Sequence, residues 1–403
     1  MKDSMGKQQS DNLSREDFQR EQAAPRRHGG VRRAAKLLAV LVLVFAVVLV
    51  AAYQDLSSFD SVRRLFSYNK VTQDEQGKAE LYSFDNDRTN VYAMLGERLI
   101  VASTTNVAVL ANDGTRVYSE SVRMTHPAVA VGGQTVLVYD IGGQTALLFG
   151  EKGLLRDCGK LCDAGILSAS LNSSDYLTLT TEKSGYQSVV SVYDPTGNAL
   201  FTFNSSDRYV MDACVLRDCK HLAVVTLGEA DGAFASTLKL YALLSETPES
   251  VNVLNGSLVL SLGNLGGRLV TIADDRLTVF GADGSLSGSY RYDYPYLRAQ
   301  STGGTDYTAL LLSRYRSGST LKLVTVSADG EKIGEADIGK EVLCISAAGK
   351  YLAALYSDSL TIYTSDLSEY ATLSNTEYAK SVIMREDGTA LLLGTSSAWL
   401  FIP

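Results

Sequence analysis

Histidine, tryptophan and proline are scarce in this chain, whose 403 residues include 3 His, 1 Trp and 6 Pro. Because His28 falls in an N-terminal tail, only His126 and His221 could serve a metal centre or a histidine-based triad. No acid–base partner accompanies either in the sequence, so both read as surface or packing residues. Net positive charge is missing as well: 37 Lys and Arg stand against 45 Asp and Glu, a formal charge of -8. Nucleic acid is thereby excluded as the main partner, since neutralising phosphates takes clustered cations on the folded part. What is present, 45% hydrophobic and 20% charged residues, suffices for a core and fits neither wholesale disorder nor a polytopic membrane protein.

One uncharged run stands apart. Residues 37–53 hold no charge, proline or glycine, and with Ala34 and Ala35 they approach the roughly 20 residues that cross a hydrocarbon core. Arg26, Arg27, Arg32, Arg33 and Lys36 precede the run, while Asp55 and Asp60 follow it. The positive-inside bias then gives a disordered cytoplasmic tail over 1–36, a transmembrane helix over 37–53 and a juxtamembrane linker over 54–77 with a short helix within 61–69. Everything beyond lies outside the cytoplasm, on a cell membrane crossed once. A cleaved signal peptide competes, because Val50-Ala51-Ala52 offers the small residues a peptidase accepts, although the apolar run exceeds the usual signal length.

After the linker no helical period appears. Short apolar strands alternate with Gly, Asp and Asn turns, repeating at roughly 40 residues, as propeller blades do. Turns followed by what read as inner strands are Gly132-Gly133 with 134–139, Ser173-Ser174 with 175–180, Asp218-Cys219 with 220–227 and Gly266-Gly267 with 268–273. The series continues through Gly304-Thr305 with 306–312, Ala348-Gly349 with 350–356 and Asp387-Gly388 with 389–394. The strands that come next end in Asn112-Asp113-Gly114, Asp194-Pro195-Thr196-Gly197, Asp283-Gly284, Asp329-Gly330 and Asp366, residues suited to the positive backbone angles of tight hairpins.

A lone four-stranded blade cannot bury both faces, so the copies must pack around an axis. The last copy stops at Pro403 after three strands, and 79–84 is an orphan strand at the other end. Pairing the two covers an edge and joins the termini. The fold class is therefore all-β: a single β-propeller over 78–403 of about eight four-stranded blades, preceded by one transmembrane helix. Seven blades is the alternative, because 151–166 is weakly patterned.

On the single N-terminal span, the stretch Arg63-Arg64-Leu65-Phe66 and repeats such as Gly349-Lys350-Tyr351-Leu352-Ala353-Ala354-Leu355-Tyr356, the chain resembles membrane-anchored repeat propellers of Gram-positive bacteria grouped as a domain-of-unknown-function family. It is broadly similar to WD-repeat and quinoprotein-type propellers too, but has no Trp-Asp dipeptide, and Trp399 alone cannot supply repeated Trp packing. The resemblance implies a fold and no activity.

Connections between second and third strands lengthen at 182–188, 228–236 and 313–319, so their face is the expected binding face. There Tyr290, Tyr292, Tyr294 and Tyr296 alternate beside Arg298, and Arg314, Tyr315 and Arg316 fall in the next blade's loop. Such a group suits sugars, peptides or aromatic ligands; packing between blades is the other reading, and Arg208 and Tyr209 share the ambiguity. Cys158 with Cys162 and Cys214 with Cys219 can form disulfides outside the cytoplasm, or stay as free thiols, leaving Cys344 over. Asp85-Asn86-Asp87 lacks the rest of a calcium loop and reads as a turn. No cofactor or metal is implied. The expected role is non-enzymatic binding or scaffolding of an envelope protein, peptide or glycan; the alternative is a surface hydrolase or lyase using channel carboxylates, with Asp274, Asp275 and Asp306 near strand ends.

Overall fold

The computed structural model describes residues 38, 40–45, 60, 64, 68, 71–230 and 232–403, and the chain divides into the units Met1–Ser67 and Tyr68–Pro403. The expected tail over 1–36 lies outside the described residues, as does most of the expected span over 37–53 and of the short helix within 61–69. Leu38 and residues 40–45 are helical, and no helix among the described residues is long and apolar enough to cross a membrane.

The second unit is built from eight four-stranded antiparallel sheets, which settles the blade number. In seven of them the strands follow chain order from the axis outwards; in the eighth, Ser381–Met384, Ala390–Leu393 and Ser397–Phe401 are joined by Lys78–Ser83 as the outermost strand. The orphan strand thus closes the ring in the register Lys78↔Phe401 to Ser83↔Ser397, and Ile402 N–H donates to the Gly77 carbonyl at 2.9 Å. Tyr82 and Phe84 pack with Leu391 and Leu400 of the eighth blade and Leu99 and Leu110 of the first.

Burial follows radius. Second strands such as Val136–Asp140, Tyr307–Ser313 and Tyr351–Tyr356 are buried throughout, because a neighbouring blade covers each face, and they read as continuous apolar runs. Outer strands such as Pro248–Asn255 and Lys332–Ile338 alternate between exposed and half-buried, as blades splay apart at the rim. The repeated turn-and-strand signal of the sequence is the second strand of each blade, not the innermost. Its eighth copy is the turn at Gly96-Glu97 before Arg98–Ala102.

The inner strands of blades one to eight are Val91–Leu95, Pro127–Val131, Ile166–Leu171, Tyr209–Val215, Val259–Leu265, Tyr296–Ser301, Val342–Ala348 and Ser381–Met384. Turns from first to second and third to fourth strands share one face, here the short-turn face. Blade crossings and second-to-third connections share the other, here the crossing face.

Candidate functional site

Five consecutive inner strands carry a β-bulge near their start. Their pairing with the second strand skips from Ile166 to Ser168, Val210 to Asp212, Val259 to Ser261, Leu297 to Ala299 and Val342 to Cys344. The residues left unpaired are Leu167, Met211, Leu260, Arg298 and Leu343. An unpaired bulge residue is turned out of the ladder. Leu167, Leu260, Arg298 and Leu343 are exposed accordingly, and because each bulge sits where an inner strand starts, they form an arc of apolar groups with one guanidinium around the axis on the crossing face.

Aromatic exposure is confined to the same face. Among the described residues of the propeller, the exposed aromatic side chains are Tyr186, Tyr209, Phe234, Tyr296 and Tyr315. Tyr209 and Tyr296 open inner strands; Tyr186, Phe234 and Tyr315 sit at second-to-third connections. Phe234, 77% exposed, caps the longest hairpin, His221–Ala230 with Ala233–Ala242. Two of the three long loops expected are therefore extended hairpins, paired out to Lys183↔Tyr186 and Ala230↔Ala233 and turned by Gly185 at φ +83 and Gly232 at φ +80. Only the connection after Ser313 remains a loop, where the Ser313 hydroxyl donates to the Tyr315 carbonyl at 2.7 Å.

Beneath the arc, side chains stitch each inner strand to the next. Ser170 Oγ donates to the Ala213 carbonyl at 2.8 Å, Asp212 Oδ2 accepts Leu262 N–H at 2.8 Å, and Gln300 Nε2 donates to Ser261 Oγ at 3.3 Å. Ser301 Oγ then accepts Ala347 N–H at 2.9 Å and Ser346 Oγ accepts Met384 N–H at 3.0 Å. Burial pushes the Asp212 carboxyl above the ordinary carboxylate range, against these main-chain donors. Counted from the bulge, Cys344 occupies the position of Ser168 and Ser261, and Cys214 that of Ser170, Ser301 and Ser346.

All five cysteines are free thiols, so neither expected pair is bridged. Cys214 lies on an inner strand at a position that stitching serines take in other blades, whereas Cys219 occupies a turn at φ +56, with its sulfur beside Asn172 Nδ2 of the preceding blade. Cys158 and Cys162 flank the one-turn helix Gly159–Leu161, and burial pushes both thiols up to about 11.

The eight residues expected to bind a ligand divide. Tyr290, Tyr292 and Tyr294 do not share one strand face: the chain leaves Leu286–Arg291 and crosses to the next blade, and all three pack against the core between the fifth and sixth blades. Burial pushes the Tyr292 and Tyr290 hydroxyls well up. Tyr296, Arg314, Tyr315 and Arg316 are exposed on the crossing face, the Arg314 guanidinium 5.8 Å from the Tyr315 ring. Arg298 and Tyr294 also line a cleft of about 870 Å³ with the loop 317–320, Asp337, Lys340, Glu341 and Leu343. A second cleft of about 550 Å³ lies across the crossing 337–340, walled by Tyr356, Asp358, Tyr363 and Glu369 of the seventh blade and by Glu377 of the crossing that follows it.

Arg208 donates to Thr237 Oγ1 at 3.2 Å and to the Glu229 carbonyl at 3.1 Å, bracing the long hairpin. His221 does have acidic partners: Nδ1 lies 2.5 Å from Asp218, three residues before it and legible in the sequence, and Nε2 3.1 Å from Glu249, which the sequence hid because it belongs to the outer strand of that blade. His126 opens the second blade, its N–H donating to Asp140 at 2.6 Å. Asp87 accepts from Thr89 N–H and hydroxyl as a turn does. The carboxylates named for an enzymatic reading are separated. Asp274 and Asp275 sit on the crossing face, where Asp275 pairs with Arg276 at 2.7 Å, while Asp306 lies in a turn of the other face. No group of three or more His, Cys, Asp or Glu among the described residues could hold a metal.

The arrangement is similar to known propellers in fold. The C-terminal WD40 domain of Sif2 matches with a TM-score of 0.60 at 13% identity, over 81% of this chain and 98% of that one. BamB from Moraxella catarrhalis matches with a TM-score of 0.50 at 13% identity, over 82% and 100%. No curated protein matches. The family described as "Family of unknown function (DUF5711)" matches residues 68–396.

Proposed function

Because the chain belongs to the DUF5711 family of unknown function, its activity has to be read from its own surface, and we propose that it is a protein-binding propeller whose crossing face docks another envelope protein. The observation that carries this reading is the segregation of exposed aromatics and of the bulge arc onto that face. Aromatic and arginine side chains dominate the energetic centres of protein interfaces, and apolar groups held on a rigid frame lose little entropy on contact. A membrane anchor over 37–53, with the propeller outside the cytoplasm, belongs to the same proposal. It is supported by the uncharged run and the basic cluster before it.

Site-directed photocrosslinking in growing cells tests the reading. A photoreactive residue at Phe234 or Leu343 is expected to capture a discrete protein adduct, and one at Leu244, 97% exposed in a turn of the other face, none. Adducts equally frequent from Leu244, or absent from both crossing-face positions, would overturn it.

A further inference from the structure

The groove between the sixth and seventh blades is not neutral ground. Its outer cleft is lined by Asp337, Asp358, Glu369 and Glu377 against one cation, Lys340. Among the described residues Asp337, Glu369 and Glu377 have no ion-pair partner; only Asp358 has one, Lys340 at 3.3 Å. The floor is aromatic, Tyr356 and Tyr363 meeting through their hydroxyls at 3.0 Å. A cation already sits there: the Lys340 ammonium lies 5.8 Å from the Tyr356 ring centroid while it pairs with Asp358, so the fold seats one of its own lysines where a foreign one would go. Between the two clefts the crossing residues Gly339, Lys340 and Glu341 lie outside any strand. Among the described residues their main-chain N–H and C=O groups form no hydrogen bonds, and a Cβ built on Gly339 would meet nothing within 4 Å. Peptide groups left free beside a groove are available to hydrogen-bond another main chain. Carboxylates and tyrosine rings beside that ridge select side chains with positive heads.

We propose that this groove binds an extended, basic polypeptide segment, whose main chain pairs along 339–341 and whose lysine or arginine side chain displaces Lys340 on Asp358 and Tyr356. The proposal rests on the crossing face being a protein-docking face and adds the chemistry of what it takes.

The experiment uses the full chain in detergent and a fluorescent nonapeptide alternating lysine with serine, followed by polarisation against ionic strength. The lysine peptide is expected to bind, and its glutamate counterpart not. Glu369→Gln with Glu377→Gln, both without an ion-pair partner among the described residues, should weaken binding roughly tenfold, the sum of two modest ion pairs. Lys340→Ala should tighten it by roughly threefold, because the resident cation no longer competes. Unchanged affinity in both variants, or spermine displacing the peptide at equal charge concentration, overturns the proposal, the latter because the main chain would then contribute nothing. Failure here with Phe234 and Leu343 adducts intact removes the basic segment but leaves the docking face; loss of those adducts removes the face itself.

Discussion

Asp212 shows how one side chain can hold two blades and titrate at the same time. Its carboxylate accepts Leu262 N–H across the blade gap and Ala213 N–H on its own strand, in a position where desolvation outweighs both and lifts its proton affinity. A carboxyl whose folded pKa stands above its unfolded one loses stability as pH rises from the ordinary carboxylate range through the folded value. Asp212→Asn should flatten that slope, measured as urea midpoints at pH 4, 5, 6 and 7. Asp212→Ala should cost about 1–3 kcal/mol, since it strands the Leu262 donor. Cys344→Ser and Cys214→Ser should each change stability by no more than about 1.5 kcal/mol in the same assay, the net scale of one hydrogen bond, because serine fills those positions in neighbouring blades. The sequence alone could not place these thiols: without the bulge, the register that sets them beside serines is off by one.

Strands and turns were the legible level. Asp283 and Asp366 explain why: Asp283 accepts the hydroxyl and N–H of Ser285, and Asp366 accepts the Thr364 hydroxyl together with the N–H and hydroxyl of Ser368, which holds each below the usual carboxylate range and marks the turn in residue types. Hidden from the sequence were the bulges, because the unpaired position tolerates Leu, Met or Arg alike and leaves no compositional mark. The tyrosine run misled for a related reason: period two holds only while a strand lasts, and Leu286–Arg291 ends at the blade crossing. Some glycines in these turns leave no room for a side chain. Gly114, at φ +81, would place a Cβ 2.2 Å from the Leu81 carbonyl oxygen of the closing strand. Gly114→Ala should therefore cost at least about 1–3 kcal/mol and lower the melting temperature, whereas Gly185→Ala, at a free hairpin tip, should cost only its backbone strain.

At the scale of the whole ring, the termini make one blade from two distant pieces, and cooperativity should depend on it. Removing 68–83 is expected to expose the Ser397–Phe401 edge and broaden thermal unfolding in calorimetry, with association visible by size-exclusion chromatography. The proposed orientation predicts that protease added to intact cells cuts upstream of Tyr68 and releases a resistant fragment, while a fragment protected until the membrane is opened would contradict it. Ring and closure were legible in the sequence because the last repeat, ending at Pro403, is one strand short; the proposed docking face was only half legible, since its arc and grooves come from register and blade spacing.

Tyr68 is clasped to the eighth blade: its hydroxyl donates to Asp387 at 2.8 Å and accepts from Arg385 at 3.1 Å in a turn of the short-turn face. In chain order this clasp comes before the closing strand at Lys78, so a pull from the N-terminal side is expected to load its side chains ahead of the ladder that keeps the circle shut. Loosened by Tyr68→Phe, the same tug would peel the seam from its end, and the force needed to open the molecule in single-molecule stretching should fall.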